Sequence, residues 1–379
     1  MTESKKKVNW SELCPELVRC VFERLSFTHL KRGRSVCSSW RTALRGCVPK
    51  GNQIPWLILF PNNNENNSSS CVLYVPDDRD KTYKTRDLGL DFVKSSCVAT
   101  YGSWLLMFGT RCNLYILNPL SGERIYLPTN DRYQRPQELV ACLWIDDTSK
   151  DYLVVCKMDY ALIFTKKGNR SWQRVSEGMS YKKMAYEHTS QKLYVRRYYN
   201  LPLEVWSLSG DDPQQIFGDY PRDGEYALRD FLPDRSKDEE LYLKEEEYYL
   251  EECVSSRRYL AISTVSGQVL KVVNVLQKSK RWLFRVYKMH PFERTWEVVD
   301  SLGDEALILD MGITVVATKD ISGIKKNSIY FSGLDNGRKN PDHTFVFDLT
   351  THEIEPLPQC VFSALHFSGA RWFFPGLDV

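Results

Sequence analysis

From Ile54 onward this chain of 379 residues keeps returning to one arrangement: a short apolar run, a polar turn, and another short apolar run. Trp104–Gly109 (WLLMFG) precedes Leu114–Asn118 (LYILN); Pro119–Gly122 makes a turn, and Glu123–Leu127 (ERIYL) follows. Runs of this length, bounded by Gly, Pro, Asn and Asp, read as strands. Later groups echo the first. One is Leu139–Ile145, Tyr152–Cys156, Leu162–Thr165 and Trp172–Val175, and the next is Lys183–Tyr186, Leu193–Arg197, Leu203–Leu208 and a tail near Ile216. Two more are Tyr259–Thr264, Gln268–Val275, Phe284–Met289 and Trp296–Val299, then Leu307–Leu309, Ser328–Ser332, Thr344–Asp348 and Glu353–Leu357. The segments LNPLSGERIYLP and FDLTTHEIEPLP show the shared layout: an apolar strand, Asn or Asp, a turn, and a strand ending in Leu-Pro.

Each group occupies some 40–50 residues, which is the period of a propeller blade. The layout is kelch-like, without that repeat's paired glycines. Counting groups gives about six blades, with seven as the alternative. Ile54–Phe60 reads as a first strand, and Arg371–Phe374 is expected to pair with the first blade and close the ring. Closure removes sheet edges that would otherwise invite aggregation. The 21 Tyr and 10 Trp suit an aromatic β-core.

Before Pro49 the hydrophobic period is helical. Pro15 suits a first helical turn, where its missing N–H costs nothing, and Glu16 suits the positive end of the helix dipole. Leu17, Val18, Val21, Phe22 and Leu25 recur at three- and four-residue spacing. Thr28 is a candidate cap for a second helix carrying Leu30, and Gly33 within it should cost about 1 kcal/mol relative to Ala. A third helix fits Ser35–Leu44, with Val36, Cys37, Trp40 and Leu44 on one side, and Gly46 and Pro49 end it. Three short helices cannot bury their own stripes well and need a partner surface. The fold class is therefore mainly β: a flexible N-terminus over 1–8, a three-helix unit over 9–48, and a β-propeller-like domain over 51–379.

The segment WSELCPELVRCVFERLSFTHLKRGRSVCSSW resembles an F-box, with Leu13, Pro15, Leu17, Val21, Leu25, Leu30, Val36, Cys37 and Trp40 at the pattern's positions. Ser301–Gly333 resembles the signature of a large plant F-box family with a kelch-like C-terminal domain of the KIB or SKIP type. The matching residues are Leu302-Gly303-Asp304, Ala306-Leu307 and Lys326-Asn327-Ser328-Ile329-Tyr330-Phe331. The resemblance implies that the F-box docks a Skp-type adaptor, which holds a cullin, and that the propeller binds a protein substrate. It makes Leu13, Pro15, Leu17, Val21, Leu25, Leu30, Val36 and Trp40 the adaptor-facing candidates, and it implies burial of Cys37.

Other readings find less support. A net charge of +3 argues for neither nucleic acid nor an anionic membrane. Lys31, Arg32, Arg34, Arg41 and Arg45 lack a paired reading motif and read as a solvated face. No apolar run approaches the roughly 20 residues of a membrane helix, and the longest uncharged stretch is Ser95–Thr110. MTESKKKVNW lacks a signal peptide's apolar region. The eleven cysteines have no C-x-x-C spacing and read as reduced, mostly buried thiols of a nuclear or cytoplasmic protein. No phosphate-cradling, dinucleotide-binding, H-E-x-x-H or G-x-S-x-G motif occurs, and the six histidines are scattered. Neither cofactor nor metal is expected. Residues 222–252 hold twelve Asp/Glu against five Lys/Arg and read as an exposed acidic insert; a docking site for a basic partner is the alternative.

The expected function is that of a non-catalytic substrate receptor of an SCF-type ubiquitin ligase. The alternatives are an F-box scaffold acting outside a ligase, or a propeller enzyme with incidental N-terminal helices.

Overall fold

The computed structural model describes residues 10–25, 27–45, 47, 55–61, 69–75, 81–110, 113–129, 139–178, 181–197, 201–210, 212–216, 253–290, 295–317, 324–332, 344–355 and 367–375. The acidic insert lies outside them, as do the three lysines at 5–7 and most of the Asn/Ser-rich stretch 62–70, which reads in the sequence as a loop.

A 3-10 turn at Trp10–Glu12 leads into α1 (Pro15–Phe22), α2 (Phe27–Gly33) and α3 (Ser38–Ala43). Proline does open α1. Thr28 lies inside α2 rather than capping it. The third helix starts three residues later than its periodicity suggested, because the thiol of Cys37, not a residue further back, accepts the Trp40 backbone N–H at 3.5 Å. Val18, Phe22, Leu30, Ala43, Leu44 and Cys47 form a small core of their own. Two arginines hold it: Arg19 Nε donates to the Ala43 carbonyl at 2.6 Å, and Arg34 donates to those of Leu44 and Cys47 at 2.9 and 3.2 Å.

Gly33 is not the weak point that helix propensity suggests. A Cβ there would sit 2.4 Å from Phe22 Cε1 and 3.0 Å from Leu44 Cδ1. Only glycine lets the Phe22 ring lie flush on α2.

The strands then group in sequence order. Blade 1 contains β1 (Trp56–Pro61), β2 (Val72–Val75) and β3 (Lys81–Lys84). After the short α4 (Gly89–Val93), blade 2 contains β4 (Ser96–Tyr101), β5 (Trp104–Phe108), β6 (Leu114–Leu117) and β7 (Arg124–Tyr126). Blade 3 runs from β8 (Ala141–Ile145) through β9 (Tyr152–Met158) and β10 (Ala161–Lys166) to β11 (Gln173–Glu177). Blade 4 runs from β12 (Tyr181–Glu187) through β13 (Lys192–Arg197) and β14 (Glu204–Ser207) to β15 (Gln214–Ile216). Blade 5 is β16 (Cys253–Ile262), β17 (Val269–Gln277), β18 (Trp282–Met289) and β19 (Trp296–Val299). Blade 6 is irregular. It comprises β20 (Glu305–Ile308), β21 (Ile313–Val316), β22 (Ser328–Phe331), β23 (Phe345–Asp348) and β24 (Ile354–Glu355), in the order β21-β20-β22-β23-β24. The β20–β22 pair is parallel, and a single parallel pairing, Ile262 with Ile313, joins blades 5 and 6.

The last strand, β25 (Phe367–Phe373), returns to blade 1 and pairs antiparallel with β1, Leu57 opposite Trp372 and Ile58 opposite Arg371. The expected closure is present, with the strand starting four residues before the expected Arg371. Neighbouring blades pack through their first strands, and the large side chains Trp56, Trp104, Tyr115 and Trp372 are fully enclosed between them.

The echo seen between LNPLSG and FDLTTH occurs five times and has a physical basis. Asn118, Asp146, Glu187, Ser263 and Asp348 each end a strand, and each side chain accepts backbone N–H bonds from residues two or three further on. Ser or Thr occupies the fourth position of every turn. The fifth takes positive φ: Gly122 at 70°, Lys150 at 57°, Gln191 at 53°, Gly267 at 68° and His352 at 58°. In each turn a polar side chain satisfies the turn's own backbone.

Candidate docking face and central channel

α1 divides its apolar residues between two faces. Val18 and Phe22, four apart, point into the F-box core. Leu17, Val21 and Leu25, also four apart, stay in water at 54%, 44% and 37% exposure. Leu25 continues the line past the helix end because its N–H bonds to the Phe22 carbonyl at 3.1 Å. Burying a large aliphatic side chain is worth about 1.5–3 kcal/mol, so three left in water along one line mark a surface built for a partner.

The remaining candidates are distributed unevenly. Pro15 is exposed and Val36 is 62% exposed. Leu13 and Trp40 are half-buried against the F-box core. Trp40 meets Phe22 edge-on at 5.3 Å, and its Nε1 donates to the Trp10 carbonyl at 3.3 Å. Leu30 does not belong on the docking face: it is wholly enclosed by Val18, Phe22, Ala43 and Leu44. Trp10, which the sequence reading passed over, is 63% exposed beside Trp40. Its signal was a lone large aromatic just ahead of a helix start.

Cys37 is only half-buried, contrary to expectation. Its thiol lies 3.1 Å from the Ser39 hydroxyl, and that bond with the Trp40 N–H holds its pKa below the usual thiol value. Of the nine described cysteines only Cys47, Cys71 and Cys156 are buried; Cys14 and Cys20 are exposed. The thiols are thus less buried as a group than expected.

All six blades contribute to a central cavity of about 190 Å³, lined among others by Thr100, Cys142, Lys183, Leu260, Asp310 and Arg371. Cys97 and Cys142 keep some surface toward this cavity yet are enclosed by protein, which pushes both thiols up to about 12. Asp310 is pushed up to about 6 by burial, against the opposing pull of Arg371, the Ser332 hydroxyl, the Trp372 N–H and Lys183. Among the described residues no three His, Cys, Asp or Glu side chains gather to hold a metal ion.

Residues 10–50 match the F-box domain, and residues 72–355 match the KIB1-4 beta-propeller. The chain belongs to the F-box proteins that carry a KIB1-4 beta-propeller. It is 58% identical to F-box protein At2g05970 of Arabidopsis thaliana, across 100% of this chain and 99% of that relative. It is 49% identical to the putative F-box protein At4g17565 of the same plant, across 97% and 95%.

The KIB-type signature segment proves to be architectural. Asn327, at φ 53°, accepts the Leu302 N–H at 2.8 Å and donates to the Thr350 hydroxyl at 2.9 Å. Its backbone adds bonds to Glu305 and Leu349. The Glu305 carboxylate accepts from Ser263 and Thr314, which ties blade 6 to blade 5. Leu302, Ala306, Leu307, Ile329, Tyr330 and Phe331 are all buried. In this F-box/KIB1-4 chain the signature thus holds the irregular sixth blade together, and its apolar members face the core.

Proposed function

We propose that this chain is the substrate-recognition subunit of an SCF-type ubiquitin ligase, acting in the nucleus, the cytoplasm or both. The single observation that carries the proposal is the apolar line Leu17–Val21–Leu25, left in water on an F-box whose own core is complete without it. A Skp-type adaptor covers that line and holds a cullin, and the closed propeller holds a protein target. Pro15, Val36 and Trp10 extend the adaptor-facing area; Leu13 and Trp40 support it from beneath. No bond is made or broken on this chain. It raises the effective concentration of a target lysine near the charged conjugating enzyme, and that proximity speeds transfer.

Co-expression of the full chain with a Skp-type adaptor and a cullin tests the proposal. Recovery of both partners, with proteasome-dependent loss of at least one propeller-bound protein, supports it. Recovery of adaptor without cullin favours a scaffold acting outside a ligase, and recovery of neither overturns the proposal.

A further inference from the structure

A cavity of about 490 Å³ lies where the F-box meets blades 1 and 2. Arg34, Arg41 and Arg45 line it from the F-box, and Tyr83, Lys84 and Arg86 line it from blade 1. These three F-box arginines, which read in the sequence as part of a solvated face, converge with two further cations from the propeller. Among the described residues no Asp or Glu lines the cavity.

The hydrogen bonds these side chains make go to neutral groups. Arg41 Nε donates to the Arg34 carbonyl at 3.3 Å, Arg45 Nε to the Ser121 carbonyl at 3.2 Å, and Arg86 Nη2 to the Leu120 carbonyl at 3.3 Å. Arg34 uses Nε and Nη2 on the Leu44 and Cys47 carbonyls. Such bonds fix the guanidinium planes but leave the charges uncompensated, and each fork keeps donors in reserve. Burial lowers the pKa values of Arg34 and Arg86; Cys47 opposes this at Arg34, while Arg86 acting on Arg34 and Arg45 acting on Arg86 lower them further. Gly122 is part of the construction. A Cβ there would lie 2.8 Å from Arg86 Nε, so the bare backbone lets that guanidinium settle against the turn.

Five like charges gathered at a junction repel one another unless an anion joins them. Fixed guanidinium forks match phosphate oxygens two at a time. The volume falls in the range of small-molecule sites and far exceeds what one water needs. The apolar wall of Leu73, Pro119 and Leu120 accommodates a carbon scaffold between the charged groups. We infer that this cavity binds a compact, multiply phosphorylated small molecule that fixes the angle between the F-box and the propeller. The binding claim does not depend on the ligase reading.

The test uses the full chain, stripped of bound anions in high salt, with tripolyphosphate as the probe. Calorimetry at moderate salt is expected to give saturable binding that weakens as salt rises, and matched ionic strength from sodium chloride is expected not to reproduce the heat. Lys84→Glu, at an exposed position whose side chain makes no hydrogen bond among the described residues, is expected to weaken binding tenfold or more without moving the melting temperature. Arg34→Gln with Arg86→Gln is expected to abolish binding. Because that pair also removes carbonyl bonds, Lys84→Glu is the decisive variant. Arg281→Glu, at an exposed position in blade 5, is the control and is expected to bind as the wild type does. Hydrogen exchange is expected to slow in residues 34–45 and 83–86 together when the probe is bound. Binding that survives Lys84→Glu, or that falls equally in Arg281→Glu, overturns the inference, and so does exchange protection confined to other regions.

Discussion

The backbone N–H of Trp372 donates to the carboxylate of Asp310, so the strand that closes the ring is latched to the blade it follows. Ser332 donates to the other oxygen at 2.6 Å, and the Trp372 indole donates to the Phe331 carbonyl at 3.0 Å. Replacing Asp310 with Ala leaves the buried Trp372 N–H unpaired. Loss of about 1–3 kcal/mol is expected in denaturant unfolding of the full chain.

The same carboxyl makes a pH prediction. Burial raises it from about 3.8 when unfolded to about 6 when folded, so the folded chain holds the extra proton in that window. The stability contributed by protonated Asp310 is full below about pH 4 and is lost as pH rises through about 6. Asp310→Asn keeps an acceptor for Trp372 and a donor for Ser332 but has nothing to titrate. Measured from pH 4 to 7, its stability relative to the wild type should climb with pH; a flat difference would contradict the assignment.

Gly33→Ala ought to stabilise α2 by about 1 kcal/mol on helix propensity alone. Contact with Phe22 reverses the sign. Overpacking of that kind costs about 1–3 kcal/mol, and the loss should appear as faster hydrogen exchange across α1 and α2. Phe22→Leu in the same chain should recover part of it. Slower exchange in Gly33→Ala would mean the ring does not rest on the helix.

Asn327→Ala removes two side-chain bonds and leaves a non-glycine residue at positive φ, whereas Asn327→Gly removes the bonds and relieves the backbone. The Ala variant should therefore melt below the Gly variant, and both below the wild type. Equal melting temperatures for all three would remove Asn327 from the support of blade 6.

The five strand-end turns predict opposite effects at equivalent positions. Gly267→Ala should cost about 1 kcal/mol, while Gln191→Gly should gain somewhat less, because glycine also loses entropy on folding. Thermal unfolding of the two variants checks both signs, and a stabilised Gly267→Ala would rule out the shared geometry.

Local chemistry was the legible part of this molecule. Pro15 marked a helix start, short apolar runs marked most strands, and the expected closing stretch Arg371–Phe374 overlaps the end of β25. The turn repeat was visible only where Asn118 and Asp348 share Asx chemistry; Glu187 and Ser263 do the same work with different side chains. Strands β2, β3, β4 and β21 went unseen; Tyr83 is the sole large apolar residue of β3, and β21 lies four residues beyond β20. Leu30 and Leu17 share the helical apolar pattern, and only the packing of α3 decides that one is core and the other surface. The cationic cavity was invisible for a similar reason: residues 34–45 and 83–86 meet only after the ring has formed.

The most direct measurement compares Leu17→Asp with Val21→Asp, made together, against Leu30→Ala in adaptor binding and in thermal unfolding. Truncating a buried anchor typically costs about 2–4 kcal/mol of binding, so the double variant should lose the adaptor outright while its melting profile stays that of the wild type. Leu30→Ala should instead loosen the F-box core by about 2–5 kcal/mol. A double variant that still captures adaptor at wild-type affinity would contradict the docking face assigned to α1.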